Sequence, residues 1–482
     1  MHLGRVSYQK TGPSYSLEVA MGRLSKGAFA LGGAALAAGV LRRALNPNPR
    51  YEVWERPPYG EFPNRVLVLG GGFGGYTAAY TLCNLTHDRH DVGVMLISKE
   101  NYFTFWPMVP AIISSDIDTR NVAQPLRRAL IRAGASFRRA PVDDIDYERK
   151  VVTADGQEFP YDHLVLSLGA EPAFFGIPGV EEHSFKIRGI SDAEAIRNRV
   201  IERFEEVSLM RGEVPESKLT FVVIGGGATG TETAAELHIL IHEALAPDYP
   251  NVDADRRARI VLLEGGTSIL RELDPALRRA AHSRLVSRRI EVMTGVQAQE
   301  VTENCVKLKD GREIPTENVI WTAGGRPNAK VKELDLPLTE RDGVRVDRYL
   351  RVEDRPGVWA LGDCAAIPAA EENGNSVPPT AQAALQEGKA VAKNILAVVD
   401  GSNEDLTPFE YRPLGQMVEL GSQFAVNEVM GVKFSGLLGA LFWRAAYLVR
   451  LESPQSKARV AADWLLGLFF EPAVTEIRRE RC

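Results

Sequence analysis

The chain has 482 residues, which is too long for one small core and predicts two or three domains. Its composition, 45% hydrophobic and 25% charged, is that of a globular protein, and a net charge of −6 argues against general nucleic-acid binding, which needs an electropositive face. The four cysteines lie far apart, without a CxxC or CxxxxC pair, which argues against a disulfide framework or a zinc site and fits a reducing compartment.

Charge is spread unevenly along the chain. Residues 1–46 hold six Lys/Arg and one Glu, and residues 433–482 hold eight Lys/Arg and five acids, so both ends are basic. Both ends also carry apolar stretches, a combination typical of contact with a membrane surface. The N-terminal stretch Gly27–Leu41 is shorter than the roughly 20 residues that span a bilayer. We predict a membrane-contacting helix or short anchor there, with a packed or disordered extension as the alternative.

Strands and helices then alternate, and the same order of parts occurs twice. The first unit has predicted strands at Arg65–Leu69, Val92–Ile97 and His163–Leu168 and a helix near Val122–Ala133. The second has strands at Leu219–Ile224, Arg259–Leu263 and Val319–Thr322 and a helix that ends near Leu245. A third glycine-marked strand end, Val358–Gly362, precedes a helix near Ala381–Val398. Alternating strands and helices indicate parallel βαβ units, so we predict an α/β fold with two doubly wound, Rossmann-like domains.

Each unit contains a G-x-G-x-x-G turn directly between a strand and a helix. The glycines are Gly70, Gly72, Gly74 and Gly75 in the first turn and Gly225, Gly227 and Gly230 in the second. In this motif the first glycine permits a tight turn, the second lets backbone N–H groups approach a pyrophosphate, and the third lets helix and strand pack closely. Two matches in the same context predict two dinucleotide sites, whereas one alone could be a purely structural turn.

The residue that ends the second strand differs between the units. Glu264 ends that strand in the second unit, where a carboxylate accepts hydrogen bonds from the ribose hydroxyls and repels a 2′-phosphate. No Arg stands immediately beside it in sequence, so the second site is predicted to prefer NADH over NADPH, with Gly324 among its contacts. Ser98 holds the equivalent place in the first unit and can make one hydrogen bond to a ribose, with Glu100 two residues on.

These parts resemble the two-dinucleotide-binding-domain flavoproteins and, within them, the type II (single-subunit) NADH:quinone dehydrogenases. The resemblance runs from about Arg65 to Phe470. It is carried by Asn101–Pro107 (NYFTFWP), Leu168–Glu171 (LGAE), Phe175–Gly179 (FGIPG), Gly362-Asp363 and Ala381–Gln386 (AQAALQ). The sequence departs from the family at Ser98, where an acid is expected, at Trp106, where a polar residue is common, and at Ala228, where Pro is frequent.

The resemblance implies that the first unit binds FAD and that the second binds NADH as substrate. The implied FAD contacts are Gly70, Gly72, Gly74, Gly75, Ser98, Gly169, Gly362, Asp363 and Ala381. Gln382 and Gln386 are implied as polar contacts of the flavin or quinone, and Glu171 as a candidate proton donor, with an exposed loop acid as its alternative. The implied reaction moves a hydride from NADH to the flavin and then two electrons to a membrane quinone, menaquinone or ubiquinone, without a metal.

We therefore expect five segments. They are an N-terminal extension (1–63), the first part of the FAD domain (64–175), the NADH domain (176–317), the second part of the FAD domain (318–415) and a C-terminal membrane-associating helical region (416–482).

Two features of the last segment suggest a membrane contact. Leu437–Val449 is apolar on nearly all faces, and Val460, Trp464 and Leu468 recur every four residues after the basic Lys457 and Arg459. Such a pattern is typical of a helix that lies in the membrane interface, with core or dimer packing as the alternative. We expect association with a lipid surface at the cytoplasmic face, and a homodimer stays open.

The positions of the cysteines argue against two other flavoprotein functions. A disulfide reductase needs a CxxxxC pair at the start of the first helix, where Cys83 stands alone, which excludes that function. A sulfide:quinone reductase needs cysteines close to the flavin, and none occurs between Cys83 and Cys305. An NADH reductase of another acceptor and a non-enzymatic NADH-sensing flavoprotein stay as alternatives.

Overall fold

The structure is a computed structural model that describes residues 57–369, 376–421, 423–451, 454–470 and 474–476. The predicted apolar segment Gly27–Leu41 lies outside these residues. Within the described part of the chain, no helix combines the length and the apolar character needed to cross a membrane.

Five parallel strands form the first sheet. Their order is Val358–Ala360, His163–Leu166, Asn64–Leu69, Val92–Ser98 and Ser136–Arg139. Val66 to Leu69 are all fully buried, which explains the continuous apolar run: a strand covered on both faces needs apolar residues at every position. The strand Val358–Ala360 comes from much later in the chain, so the first domain is built from two separate segments.

The second sheet repeats the first. Its five parallel strands are Ser184–Lys186, Asn318–Trp321, Thr220–Ile224, Arg259–Glu264 and Ile290–Thr294. In both sheets the third strand in this order leads into a glycine turn. The prediction of an α/β fold with two Rossmann-like domains is confirmed.

Each domain also carries a three-stranded antiparallel sheet that the sequence reading did not predict. In the first domain its strands are Val142–Asp146, Val151–Ala154 and Gln157–Pro160, and in the second Ala298–Thr302, Cys305–Leu308 and Glu313–Pro315. Among the described residues, three short pairs complete the strands outside the C-terminal region: Tyr102–Thr104 with Ala123–Pro125, Ala170–Pro172 with Gly325–Pro327, and Val344–Arg345 with Ala365–Ala366.

The longer helices follow strands, and the last two described follow the C-terminal sheet. They are Phe73–Leu85, Leu126–Ala133, Ile190–Leu209, Ala228–His238, Pro275–Ser287, Ala381–Val399, Leu437–Arg450 and Pro454–Leu466. Single-turn helices occur at Thr119–Val122, Val180–His183, Glu216–Leu219, Ala254–Arg257 and Lys330–Glu333, and the segment Ile239–Leu245 continues its helix in π form. The predicted helix near Val122–Ala133 is thus two helices separated by the strand Ala123–Pro125.

Two predicted segment boundaries need correction. The strand Asn318–Trp321 pairs with Thr220–Ile224, so the boundary placed between residues 317 and 318 cuts through the second sheet and belongs after Trp321. The boundary at residue 63 is also late, because Tyr59 and Phe62 are 6% and 7% exposed and the Tyr59 hydroxyl donates to Pro160 O at 3.0 Å.

The C-terminal region begins with an antiparallel sheet of three strands, Gly415–Glu419, Ala425–Val429 and Val432–Gly436, followed by the two closing helices. The apolar residues of Leu437–Arg450 divide between a buried and an exposed face. Ala440 and Trp443 are 1% and 2% exposed, whereas Leu438 is 74% exposed. The predicted apolar residues spaced four apart also differ in exposure. Val460 and Trp464 are buried, whereas Leu468 lies beyond the helix end and is 67% exposed. Each closing helix therefore packs one face on the protein and leaves apolar side chains exposed.

Candidate dinucleotide sites

The two glycine turns have the same local geometry. Gly70 and Gly225 have φ of +104° and +119°, a region that L side chains rarely adopt. Their amides donate to Ile97 O and Leu263 O, each at 2.8 Å, which ties each turn to the neighbouring strand. The helices Phe73–Leu85 and Ala228–His238 begin directly after Gly72 and Gly227. Both turns therefore present the positive end of a helix.

Protein atoms fill the space beside the first and the last glycine of each turn, whereas the space beside the middle glycine is empty of described atoms. A Cβ added to Gly75 would lie 2.0 Å from Gly70 O, and one added to Gly230 would lie 1.8 Å from Gly225 O. A Cβ on Gly72 or Gly227 would meet none of the described atoms within 4 Å. This space at a helix N-terminus is what a pyrophosphate requires, so both turns fit a dinucleotide.

Ser98 and Glu264 occupy equivalent places in the two domains. A Cβ on Gly71 would lie 2.9 Å from Ser98 Oγ, and a Cβ on Gly226 would lie 2.9 Å from Glu264 Oε2. The Glu264 carboxylate accepts hydrogen bonds from Gly226 N at 2.8 Å and from Gly266 N at 2.6 Å. Backbone donors thus fix this carboxylate beside the second turn, where a ribose would lie.

Arg271 lies close to Glu264, although it is seven residues away in sequence. Its Nε is 4.0 Å from Glu264 Oε1, and its side chain is 67% exposed. The sequence reading found no Arg immediately beside the acid, and the structure supplies one through the bend of the chain at Leu270, which has φ +49°.

The predicted ribitol ligand Asp363 lies in a short helix, Gly362–Cys364, at the end of the first sheet. Burial raises the pKa of the Asp363 carboxyl, and the nearby Arg188 guanidinium opposes this rise. Glu387 supports the same turn, since its Oε2 accepts from Gly362 N at 2.6 Å. Its side chain is buried, which raises the pKa of Glu387 to about 7. The sequence reading missed both Arg188 and Glu387, because neither belongs to the motifs.

Gly169 and Gly324 follow matching strands of the two sheets and have φ of +71° and +74°. Gly169 faces open space, as Gly72 does, whereas a Cβ on Gly324 would lie 2.5 Å from the Phe175 ring. Phe175 itself is 69% exposed and has φ +53°, an uncommon backbone conformation for an aromatic residue.

Glu171 lies on the short strand Ala170–Pro172, which pairs with Gly325–Pro327 and joins the two domains. Its carboxylate forms an ion pair with Arg326, with Oε1 2.7 Å from Nη2. A carboxylate held in this way stabilises the connection between the strands, and its role as proton donor stays a prediction.

Gln382 and Gln386 lie on the first turns of the helix Ala381–Val399, which begins at the predicted contact Ala381. Gln382 donates to Gly415 O at 3.0 Å and accepts from Leu414 N at 2.6 Å. Gln386 donates to Arg412 O at 2.9 Å and accepts from Arg412 N at 3.1 Å. Both side chains therefore hold residues 412–415, the segment that leads into the C-terminal sheet.

The thiols are not arranged for redox chemistry among the described residues. Cys83 and Cys364 are fully buried, and Cys305 lies in the antiparallel sheet of the second domain. Burial raises the pKa of Cys364 to about 11, so it remains a thiol at neutral pH and is a poor nucleophile.

The comparisons with known proteins agree with this geometry. A model of the family described as pyridine nucleotide-disulphide oxidoreductase matches residues 64–388. A probable NADH dehydrogenase of Dictyostelium discoideum is 32% identical over 415 residues, covering 84% of this chain and 90% of that protein. The type II NADH:quinone oxidoreductase of Mycobacterium tuberculosis is 29% identical over 438 residues, covering 86% and 90%.

The structure of NDH2 from Plasmodium falciparum in complex with NADH has the same fold. Its TM-score is 0.79 at 20% identity, and the match covers 86% of this chain and 100% of that one. The chain therefore belongs to the pyridine nucleotide-disulphide oxidoreductase family and, within it, to the type II NADH:quinone oxidoreductases.

Proposed function

We propose that this chain oxidises NADH at a bound FAD and passes both electrons to a membrane quinone. The observation that carries the proposal is the presence of two equivalent open glycine turns in one chain, of which the second faces a fixed carboxylate, Glu264. Membership of the type II NADH:quinone oxidoreductases supports a quinone as the acceptor.

FAD, when bound, supplies the hydride acceptor and the two-electron carrier of this reaction. The protein binds and orients the reactants. The turn around Gly72 would hold the FAD pyrophosphate and Asp363 its ribitol, while Gly227 and Glu264 would hold the NADH pyrophosphate and ribose. This reaction requires no nucleophilic side chain, which is consistent with the buried, protonated Cys364.

On the acceptor side, we assign Gln382 and Gln386 a positioning role. Their amides fix residues 412–415, and an amide NH2 has two hydrogens, so each can also donate to a flavin or quinone oxygen. This arrangement connects the predicted flavin contact Ala381 to the C-terminal region.

The closing helices supply the proposed contact with lipid. Leu438, Leu441 and Leu465 on these helices are between 56% and 74% exposed, and Phe469, just after the second helix, is 75% exposed. Arg450 and Arg459 are exposed on the same two helices. Apolar side chains flanked by arginines suit a surface that contains anionic lipid, such as the cytoplasmic leaflet. Because a quinone with an isoprenoid tail dissolves in lipid, docking at this surface would bring the acceptor to the enzyme.

Stopped-flow absorbance with the purified holoenzyme tests the function. NADH should bleach the flavin absorbance rapidly, and a menaquinone or ubiquinone analogue should restore it. Slow bleaching with a long-lived charge-transfer band would favour an NADH sensor instead. Reoxidation only by acceptors other than quinones would favour a different reductase, and failure of every quinone would refute the proposal.

A further inference from the structure

Gly169 and Gly324 occupy equivalent places beside the two glycine turns. Each lies two residues after a residue that borders the first glycine of the turn: Ser167 beside Gly70, and Thr322 beside Gly225. A Cβ on Gly169 would meet none of the described atoms within 4 Å, whereas one on Gly324 would lie 2.5 Å from the Phe175 ring. The second site is therefore built like the first, except that an aromatic ring covers one of its glycines.

The order of the strands places Gly324 on the nicotinamide side of the predicted NADH site. The strand that leads into the glycine turn, Thr220–Ile224, lies between Arg259–Glu264 and Asn318–Trp321. Glu264 ends the first of these neighbours and marks the adenosine ribose. A dinucleotide whose pyrophosphate lies over the turn therefore carries its second ribose toward the other neighbour, which Gly324 follows. The aromatic ring covers the half of the site that the nicotinamide and its ribose would occupy.

Phe175 belongs to a turn whose geometry does not favour an aromatic residue. The Ile177 amide donates to Phe174 O at 3.1 Å, and the two residues between them, Phe175 and Gly176, have φ of +53° and +66°. Two central residues with positive φ are typical of a type I′ turn, in which Gly, Asn and Asp are preferred. Other L-residues adopt this region only with strain. The turn by itself thus gives no reason for a phenylalanine.

The packing of the core does not explain this phenylalanine either. Phe175 is 69% exposed, and its ring centroid lies 6.3 Å from that of Trp321 at an angle of 57°. Phe174, by contrast, is half-buried and packs against the apolar cluster of the second domain that contains Trp321. Exposed side chains change rotamer within nanoseconds. The Phe175 ring can therefore leave Gly324 without disturbing the core.

We infer that the Phe175 ring competes with the substrate for the nicotinamide half of the NADH site, so that NADH binds only when the ring turns away from Gly324. The inference rests on the proposed NADH oxidation. A ring that must leave first lowers the apparent affinity in proportion to the fraction of molecules in which it has left. If that fraction is about one tenth, the apparent Kd is about ten-fold higher than the intrinsic one.

Calorimetry with the oxidised holoenzyme tests the ring without turnover. NAD⁺ fills both halves of the site, whereas ADP ends at the pyrophosphate and fills only the adenosine half. Phe175→Ala should lower the Kd for NAD⁺ about ten-fold and change the Kd for ADP by less than about two-fold. Phe175→Tyr keeps the ring and should bind NAD⁺ as the parent does. Phe175→Asn, whose side chain tolerates positive φ, should show the same gain as Ala and covers the case of an unstable Ala variant.

Met430→Ala is the matched control. Met430 is 83% exposed, has φ +49° and precedes Gly431, whose φ is +82°, so it holds the same turn position in the C-terminal sheet as Phe175 does between the domains. Its replacement removes a large exposed apolar side chain from a strained turn and should change the binding of neither probe.

Stopped-flow reduction of the flavin adds a kinetic test of the same competition. The apparent Kd for NADH, taken from the dependence of the reduction rate on NADH concentration, should fall in Phe175→Ala. The limiting rate at saturating NADH should change by less than about two-fold, because the ring has left before the hydride moves.

The sign of the effect distinguishes competition from a supporting contact. Weaker NAD⁺ binding by Phe175→Ala would show that the ring packs on the bound nicotinamide and would overturn the inference. An unchanged Kd for NAD⁺, an equal fall in the Kd for ADP, or no NAD⁺ binding by the parent would overturn it as well. If NADH failed to reduce the flavin of the parent, the proposed function would fall, and the NAD⁺ and ADP titrations would still decide whether the ring competes.

Discussion

Gly72 and Gly227 have φ of −77° and −74°, which alanine adopts without strain. A Cβ at either position would project into space that the described residues leave open, whereas one at Gly75 or Gly230 would overlap backbone oxygen. Within each turn, the fold requires the first and the last glycine, and we propose that the ligand requires the middle one. Substitution can therefore separate binding from folding at neighbouring positions.

We predict that Gly72→Ala and Gly227→Ala each impair the binding of one dinucleotide. Gly72→Ala should lower the FAD retained after dialysis, because the new methyl group occupies the pyrophosphate space. Gly227→Ala should raise KM for NADH about ten-fold or more while retaining FAD, since losing close backbone contacts to a charged group costs at least about 1.5 kcal/mol. The flavin-to-protein absorbance ratio and steady-state kinetics measure the two effects.

Gly75→Ala is the matched control, because its Cβ would overlap Gly70 O and should destabilise the fold by about 1–3 kcal/mol or more. Its melting temperature should fall, whereas those of Gly72→Ala and Gly227→Ala with no dinucleotide bound should not. Loss of FAD from Gly227→Ala at an unchanged melting temperature would mean that the two turns are assigned the wrong way round.

At the scale of residues, sequence reasoning predicted what lies in regular spacing and missed what depends on the path of a loop. The glycines and Glu264 follow a fixed pattern between strand and helix. Arg271 reaches Glu264 only because the chain bends at Leu270, and Arg188 faces Asp363 only after both domains are assembled. Neither distance is encoded in a local repeat.

The helix Ala381–Val399 begins at the proposed flavin site and holds the segment that leads into the C-terminal sheet through side-chain amides. We predict that Gln386→Ala acts mainly on the acceptor step. It removes two hydrogen bonds to Arg412, each contributing about 1 kcal/mol. The rate of flavin reoxidation by quinone should fall several-fold, and the rate of flavin reduction by NADH should change little. Lys389→Ala, at an exposed position on the same helix, is the control for stopped-flow measurements. Equal loss in both half-reactions would contradict a positioning role on the acceptor side.

The helix after the second glycine turn carries a buried acid, Glu236, whose side chain contacts the first domain. The Ser114 hydroxyl donates to Glu236 Oε2. Burial raises the pKa of Glu236 to about 8, with Asp116 adding to the rise and Ser114, Arg288 and Arg444 opposing it. Glu236 is therefore largely protonated at neutral pH in the folded protein.

This raised pKa predicts a stability that falls with pH. The folded state binds a proton more tightly than the unfolded state, so the contribution of Glu236 is greatest below its ordinary pKa of 4.5 and is lost as pH rises through about 8. One such group changes the free energy of unfolding by at most about 1.4 kcal/mol per pH unit. Glu236→Gln should therefore gain melting temperature relative to the parent between pH 6 and pH 8. Glu353→Gln, an exposed acid, should show no such gain, and a parallel response of the two variants would contradict the prediction.

At the scale of elements, seven of the ten strands in the two sheets were predicted within one or two residues, because their apolar runs are long and bounded by glycine turns. The edge strands Ser136–Arg139, Ser184–Lys186 and Ile290–Thr294 were missed, because they are short or partly exposed. The antiparallel insertions were missed since short, half-exposed strands such as Val142–Asp146 carry two acids at exposed positions and no apolar run. The C-terminal helices were predicted as apolar, but composition alone could not show which face packs on the protein.

In the whole molecule, the C-terminal region is attached to both domains by charged and aromatic contacts. Arg444 lies 3.5 Å from Asp116 of the first domain, and the Tyr447 ring meets Phe105 of the same domain edge-on at 5.8 Å. Lys433 Nζ lies 2.6 Å from Asp274 Oδ2 of the second domain. Phe105 belongs to the stretch Asn101–Pro107, which follows the second strand of the chain. The helix Leu437–Arg450 therefore has one face committed to this packing, and its other face remains available for a different partner.

We predict that this other face, together with the exposed residues just after the second closing helix, binds lipid. Leu438, Leu441 and Phe469 are 74%, 56% and 75% exposed, so replacing all three with Ser should leave the melting temperature nearly unchanged. Each large apolar side chain gains about 1.5–3 kcal/mol on burial, so affinity for anionic phospholipid vesicles should fall at least about ten-fold in co-sedimentation. NADH oxidation with a water-soluble quinone should persist, because none of these side chains belongs to the dinucleotide sites.

The matched control replaces two exposed apolar residues outside the C-terminal region, Leu209 and Val286, with Ser. These side chains are 81% and 50% exposed, and the control variant should bind vesicles normally. Unchanged binding by the triple variant would shift the lipid contact to the apolar stretch Gly27–Leu41.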